Sequence, residues 1–121
     1  MISYGKHKID SKDIREVSKV LKSDFLTSGP KVEQFEKKLI KKFGGKFCTA
    51  VNSGTSALHL LGKALNWKKN DIIATTPISF IATSNCIVNN NATPEYITTE
   101  KETYTIDLNK LENKLKRKKF K

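Results

Sequence analysis

The spacing of hydrophobic positions along the chain changes near residue 45. Before that point they recur at helical intervals, which predicts a first helix over Asp10–Ser23 and a second from Pro30 to Gly44-Gly45. Asp10 or Ser11 can cap the first helix, and an N-terminal proline with C-terminal glycines is typical of the second. We expect the faces of these helices that are marked by the following residues to be buried: Ile14, Val17 and Leu21 in the first, and Val32, Phe35, Leu39 and Phe43 in the second.

After residue 45, short apolar runs alternate with helical spacing. The predicted elements, in chain order, are a strand at Phe47–Val51, a helix at Thr55–Leu65, a strand at Asp71–Thr76, a helix at Phe80–Val88 with Ile81, Ser84 and Val88 on one side, a strand at Pro94–Thr98 and a helix capped by Asp107. Such alternation predicts an α/β fold whose mainly parallel sheet is flanked by helices. We therefore divide the chain into an N-terminal helical segment, 1–45, and the start of a larger α/β domain, 46–121. Because three strands make a narrow parallel sheet, we expect this domain to be truncated.

The chain carries a formal net charge of +11, which raises the possibility of a nucleic-acid partner. Arg15 and Arg117 are its only arginines, however, whereas specific base recognition favours the bidentate guanidinium. A nucleic-acid partner is therefore not expected. The sequence has neither an apolar stretch of about 18 residues nor the apolar run of a signal peptide, so we expect a cytoplasmic protein without a membrane partner.

The cysteines and histidines do not form a metal-binding pattern. Cys48 and Cys86 are far apart and stand in apolar surroundings, so we expect two buried, reduced thiols. His7 and His59 are too few and too distant from each other to build a metal site, and His59 is expected to pack in the core.

A turn at Gly54, Thr55 and Ser56 joins a predicted strand to a predicted helix. The start of a helix offers unpaired backbone N–H groups and the positive end of the helix dipole, which suits a phosphate. The turn matches neither GxGxxG nor GxxxxGK[ST], so a classical dinucleotide fold or a P-loop is disfavoured. An ordinary helix start capped by Ser53 or Thr55 explains the same residues.

Two further segments are candidates for ligand contact. Phe80 follows the second predicted strand, at the carboxyl edge of the sheet where ligands of open α/β folds bind, and its ring could lie against a flat heterocycle. A core phenylalanine at a helix start is the alternative. Thr27, Ser28 and Gly29 precede Pro30 in a loop that is otherwise a simple connection between helices.

Taken together, five segments resemble the sugar aminotransferases of the DegT/DnrJ/EryC1/StrS family, which are pyridoxal-phosphate enzymes of the aspartate-aminotransferase (type I) fold. The segments are Tyr4-Gly5-Lys6, Ser23–Glu36, Asn52–Leu60, Thr76–Asn85 and Glu102–Asp107. Within the family, the likeness is greatest to the enzymes of pseudaminic acid synthesis. One departure is Thr98, which stands where the family usually has an acidic residue after the third strand.

The resemblance implies roles for the three motifs. Gly54, Thr55 and Ser56 match the turn that holds the phosphate of pyridoxal 5'-phosphate, and Phe80 matches the aromatic residue that stacks on its ring. The loop formed by Thr27, Ser28 and Gly29 matches one near the nucleotide-sugar pocket.

The resemblance also implies a reaction and an assembly. In the family, an amino group passes from glutamate to the 4-keto carbon of a nucleotide-linked sugar, and the sites form in a homodimer. The lysine that forms the Schiff base would lie beyond residue 121, so we expect an N-terminal fragment without activity of its own. Two alternatives stay open: a small basic module that binds nucleic acids or anions, and a dehydratase of the same family in which histidine replaces that lysine.

Overall fold

The computed structural model describes residues 5–121, so Tyr4 of the opening motif lies outside the described residues. The chain divides into two compact units, Met1–Ala50 and Val51–Lys121. The described elements are, in order, α1 (Ser11–Leu21), α2 (Pro30–Phe43), α3 (Gly54–Ala64), β1 (Ile72–Thr75), α4 (Ala82–Asn89), β2 (Thr93–Tyr96) and α5 (Leu108–Arg117). The domain boundary that we place at residue 45 stays a prediction.

Both helices of the first unit begin where the sequence predicts, and α2 also ends there, whereas α1 ends at Leu21, two residues before the predicted Ser23. The Asp10 carboxylate caps α1, since it accepts from the backbone N–H groups of Lys12 at 2.7 Å and Asp13 at 3.0 Å. Pro30 opens α2, and Gly44 closes it in the left-handed conformation at φ 72°, with its N–H donating to the Ile40 carbonyl. Local chemistry alone determines these helix limits.

The expected burial of the two apolar helix faces is wrong for the described residues. None of residues 5–50 is buried, and Val17 and Phe43 are 60% and 75% exposed. An amphipathic helix buries its apolar face only against another apolar layer. The described part of the first unit contains two helices and irregular chain, so it supplies no such layer.

The second unit contains a small core between helices and a two-stranded parallel sheet. Strands β1 and β2 pair in register from Ile72↔Thr93 to Thr75↔Tyr96, and α4 connects them. Helix α4 packs on both strands and on α3. The core cluster consists of Ile73, Cys86, Ile87 and Ala92, with Leu58 and Trp67 packed against it.

Helices α3 and α4 approach closely at Gly62. A Cβ atom built on Gly62 would lie 2.7 Å from Cε3 of Trp67 and against the side-chain amide of Asn90. Asn90 is 1% exposed, and its Nδ2 donates to the carbonyls of Cys86 at 2.7 Å and His59 at 3.1 Å. Asn90 thus joins the end of α4 to α3, and Gly62 makes room for it. His59, which we expected to pack in the core, is half-buried.

The strand predicted at Phe47–Val51 does not form, so the described sheet has two strands where we expected three. Phe47 is 93% exposed, and the Ala50 N–H donates to the Glu36 carboxylate at 2.7 Å instead of to another strand. A strand exists only through its ladder with a neighbour. Within residues 5–121 this apolar run has no strand beside it.

The buried side of helix α4 is not the side that carries Ile81 and Val88. It begins at Ala82, two residues later than predicted, and Ile81 and Val88 are 60% and 54% exposed. The buried side instead carries Ala82, Cys86 and Ile87. Small side chains let a helix approach its neighbours closely, whereas a periodicity argument gives most weight to the bulky ones.

Helix α5 is tied to β2 by ion pairs. Asp107 caps it as predicted, accepting from the Lys110 N–H at 3.0 Å. The Glu95 carboxylate on β2 accepts from Nζ of Lys114 and, at 2.8 Å, from Nζ of Lys118. These hydrogen bonds to two ammonium groups hold the pKa of Glu95 at about 2.

Both cysteines are free thiols, which agrees with the expectation. Burial, however, holds for Cys86 alone, since Cys48 is half-buried. Burial raises the pKa of the Cys86 thiol, which therefore stays protonated at neutral pH. Across residues 5–121, no helix is long and apolar enough to cross a membrane, and no group of three or more potential ligands could hold a metal ion.

Candidate anion-binding site

Helix α3 begins with a serine cap. Ser53 is extended, and its Oγ accepts from the backbone N–H of Ser56 at 3.1 Å. The first helical hydrogen bond follows, from the Ala57 N–H to the Ser53 carbonyl at 3.1 Å. Of the two residues expected as caps, Ser53 takes this role.

Two N–H groups at this helix start remain available. The backbone N–H groups of Gly54 and Thr55 donate to no acceptor among the described residues, and the Thr55 hydroxyl makes no hydrogen bond there either. Both residues are exposed, and the first turn of α3 contains no acidic side chain. Two amides and one hydroxyl at the positive end of a helix dipole can bind an anion.

Ser56 differs from Gly54 and Thr55 in that its donors are already used, although the sequence motif groups the three residues together. Its N–H is used by the Ser53 cap, and its Oγ donates to Oδ1 of Asn52 at 2.8 Å. The Oγ atoms of Ser53 and Ser56 are also 3.0 Å apart. Both donors of Ser56 therefore point into the turn. Sequence reasoning did not assign Asn52, whose only signal is its position four residues before Ser56.

The packing of the chain does not require a glycine at position 54. A Cβ atom built on Gly54 would meet nothing within 4 Å, in contrast to one built on Gly62. The space above the first turn is therefore open to a ligand. The donor set fits a phosphate group, because three donors without an acceptor lie at a helix start that has no acidic side chain.

Phe80 lies in the turn between β1 and α4, where its carbonyl accepts from the Thr83 N–H at 3.0 Å. The side chain is 74% exposed, so Phe80 is not part of the core formed by the described residues. It presents an aromatic ring for contact. Because α3 and α4 pack on each other, Phe80 and the Gly54 turn precede two neighbouring helices of one unit.

The loop of Thr27, Ser28 and Gly29 belongs to the first unit. Ser28 has a left-handed backbone at φ 50°, and Gly29 caps α2 so tightly that a Cβ atom there would lie 2.9 Å from Cβ of Phe25. Ser28 and Gly29 line an open cavity of about 620 Å³, whereas Thr27 is not among its lining residues. Two carboxylates, from Glu33 and Glu36, also line this cavity.

Comparisons with known proteins agree with the architecture. Residues 7–120 match the model of the DegT/DnrJ/EryC1/StrS aminotransferase family. The UDP-4-amino-4,6-dideoxy-N-acetyl-beta-L-altrosamine transaminase of Campylobacter jejuni is 42% identical over 115 residues, which are 95% of this chain and 30% of that protein.

Two solved structures extend the comparison. The sugar aminotransferase Spr1654 of Streptococcus pneumoniae in its PLP form superposes with a TM-score of 0.86 at 27% identity, covering 93% of this chain and 29% of that one. PseC of Helicobacter pylori, an aminotransferase of pseudaminic acid biosynthesis, gives a TM-score of 0.84 at 35% identity, covering 92% of this chain and 30% of that one. The expected α/β fold of the PLP-dependent sugar aminotransferases is thus confirmed for this part of the molecule.

The chain spans only 26–30% of the length of the curated relatives that it matches. The match nevertheless extends over almost all of its own residues, which decides against an unrelated small basic module. This chain belongs to the DegT/DnrJ/EryC1/StrS aminotransferase family.

Proposed function

We propose that the start of α3 holds the phosphate of pyridoxal 5'-phosphate in an enzyme that transfers an amino group to a nucleotide-linked sugar. The observation that carries this proposal is the open helix start in a chain of this family, where the N–H groups of Gly54 and Thr55 and the Thr55 hydroxyl have no acceptor among the described residues. Pyridoxal phosphate, when bound, supplies an electron sink for the chemistry at carbon.

In this proposal the residues of the second unit bind the cofactor and orient it. Gly54 and Thr55 donate to the phosphate oxygens, and Ser53 keeps the turn in shape through its cap. The missing side chain at Gly54 lets the phosphate approach the backbone. Phe80 offers its exposed ring to the flat face of the cofactor, a contact that contributes about 0.5–1.5 kcal/mol beyond the area that it buries.

The substrates are the finer part of the proposal. We take the acceptor to be a 4-keto sugar linked to a nucleotide, which agrees with the transaminase name of the Campylobacter relative, and the donor to be glutamate. Ser28 and Gly29, with Thr27 next to them, would contribute to the sugar-nucleotide side, since the first two line the cavity of the first unit. We further propose a cytoplasmic homodimer as the working form of the enzyme.

None of the described lysines is assigned to the covalent link with the cofactor. We propose that this lysine is not among the 121 residues, and that these residues alone do not transaminate. An amine-transfer assay on residues 1–121 tests this point, and turnover by them would contradict it.

Cofactor titration tests the phosphate site itself. In the complete encoded protein, we expect tighter binding of pyridoxal phosphate than of pyridoxal, and Thr55→Val should weaken the phosphorylated form by about tenfold, because a hydrogen bond to a charged group is lost. Thr93→Val, an exposed threonine on β2, is the matched control and should change neither affinity. Equal affinity for the two compounds would contradict the proposal.

Product analysis then tests the reaction. With glutamate and a 4-keto nucleotide sugar, the expected product carries a new amino group on the sugar and 2-oxoglutarate appears with it. A deoxygenated sugar without amine transfer would instead indicate the dehydratase alternative.

A further inference from the structure

We infer that Asn52 is a positioning residue of this site, acting through Ser56 rather than on the phosphate itself. This inference rests on the proposed function, because it concerns how the same helix start is kept ready for a phosphate. Neither the motif nor the resemblance assigns a role to Asn52.

The first step is the direction of the hydroxyl protons. Ser56 has one hydroxyl proton, and its Oγ lies 2.8 Å from Oδ1 of Asn52, an oxygen that can only accept. The proton of Ser56 is therefore used by Asn52. Since the Oγ atoms of Ser53 and Ser56 are 3.0 Å apart, Ser53 must be the donor in that second contact.

The second step is the consequence for the cap. The Ser53 oxygen accepts from the Ser56 N–H at 3.1 Å while its own proton points to Ser56. Three hydrogen bonds thus form one directed chain that ends on Asn52. Ser56 has no donor left for an anion, and the donors facing outward are those of Gly54 and Thr55.

The third step excludes two other roles for Asn52, that of a helix cap and that of a core residue. Its side-chain oxygen accepts from no backbone N–H among the described residues, so it is not itself a helix cap. It is also exposed, and it buries no apolar surface of the core. Removing its side chain should therefore disturb the order of the turn more than the stability of the fold.

The expected effect is a selective loss of phosphate affinity. Without Asn52, the Ser56 proton is free to turn towards Ser53, the cap loses its fixed direction, and the amides of Gly54 and Thr55 are less well ordered for a ligand. Asn52→Ala and Ser56→Ala should each weaken the binding of pyridoxal phosphate by about fivefold, the size expected for one neutral hydrogen bond.

The experiment is a double-mutant cycle in the complete encoded protein, freed of cofactor and titrated with pyridoxal phosphate and, separately, with pyridoxal. The variants are Asn52→Ala, Ser56→Ala, their combination, and Ser56→Thr, which keeps the hydroxyl. We expect the double variant to bind pyridoxal phosphate no more weakly than either single variant, and Ser56→Thr to bind it like the parent. The affinity for pyridoxal and the melting temperature of the cofactor-free protein should not change in any variant.

If Thr55→Val still shows its loss, three results would overturn the role of Asn52 alone. The first is an unchanged affinity of Asn52→Ala for pyridoxal phosphate, and the second is a loss in the double variant equal to the product of the two single losses. The third is a parallel loss of affinity for pyridoxal together with a lower melting temperature. The last result would give Asn52 a purely structural role. If the parent protein does not prefer pyridoxal phosphate over pyridoxal, or if Thr55→Val has no effect, the proposed function fails and the inference fails with it.

Discussion

The starts of α1 and α3 differ in how the first backbone N–H groups of each helix find hydrogen-bond acceptors. At α1 the Asp10 carboxylate takes the N–H groups of Lys12 and Asp13, and the Asp13 carboxylate accepts from the Asp10 N–H at 3.0 Å. At α3 a neutral serine takes one N–H group, and those of Gly54 and Thr55 stay without an acceptor among the described residues.

The difference shows what a carboxylate at a helix start excludes. Two negative charges already complement the dipole of α1 and satisfy its first donors, so an anionic ligand would meet repulsion there. Helix α3 lacks that stabilisation, and its first two donors stay without an acceptor among the described residues. A helix start can serve its own stability or a ligand, and the choice of cap residue decides which.

The largest expected effect comes from turning the start of α3 into one like that of α1. Thr55→Asp places a carboxylate beside the proposed phosphate, and repulsion between the charges should weaken pyridoxal phosphate binding by at least about 100-fold. Thr55→Asn is the matched neutral control and should bind far better. Cofactor titration of the complete encoded protein measures both, and equal affinities would contradict an anion site at this turn.

The two glycines of α3 sharpen the comparison, because Gly54 lies at the open start of the helix and Gly62 lies where the helix packs on its neighbours. Gly62→Ala should lower the free energy of unfolding by about 1–3 kcal/mol, since the new Cβ atom meets Trp67 and Asn90. Gly54→Ala should change it by no more than about 0.5 kcal/mol, because that Cβ atom meets open space. Urea unfolding of the two variants without cofactor measures the contrast, and a similar loss in both would contradict it.

Opening the start of α1 should affect stability alone. Asp10→Ala leaves the first N–H groups of α1 without their acceptor and should cost about 1 kcal/mol of stability. Asp10→Ser restores a cap and should recover most of this loss. Cofactor affinity should stay at the parent level in both variants, and a change in affinity without a change in stability would contradict the division of roles.

The smallest effect concerns Glu95, a carboxylate that serves neither helix start. Its pKa is lowered to about 2 by Lys114 and Lys118, below the ordinary value of 4.5. The ion pairs therefore contribute stability that is fully present above pH 4.5 and is lost as the pH falls towards 2. Because solvent reaches these partners, we expect a modest effect.

Melting temperatures measured between pH 6 and about pH 2.5 test the role of Glu95. The parent should lose more stability over this range than Glu95→Gln, whose side chain does not titrate. Parallel curves for the two proteins would show that the pairs with α5 contribute nothing.

The helix limits could be predicted because they depend on residues next to each other in the chain. Asp10, Pro30, Gly44 and Asp107 each act on the first or last turn of their own helix, and all four stand where the sequence predicts. The strand predicted at Phe47–Val51 is wrong for the described residues, and neighbouring residues could not reveal this, since a strand requires a partner from elsewhere in the chain.

The hydrogen bonds of the candidate site were predictable only in part for the same reason. A glycine turn before a helix identifies possible phosphate donors, but the sequence cannot tell which of them the turn itself consumes. That distinction depends on a side-chain contact between Asn52 and Ser56, which follows from the geometry of the turn. The buried face of α4 likewise depended on how closely Ala82 and Cys86 could approach neighbouring elements.

Asparagines take a backbone shape that glycine usually supplies. Asn66 and Asn91 follow the ends of α3 and α4 with φ of 54° and 61°, as Gly44 does after α2 with φ of 72°. Asparagine tolerates this conformation better than other side chains do. Asparagine can therefore close a helix of this chain at a position that in other proteins is usually glycine.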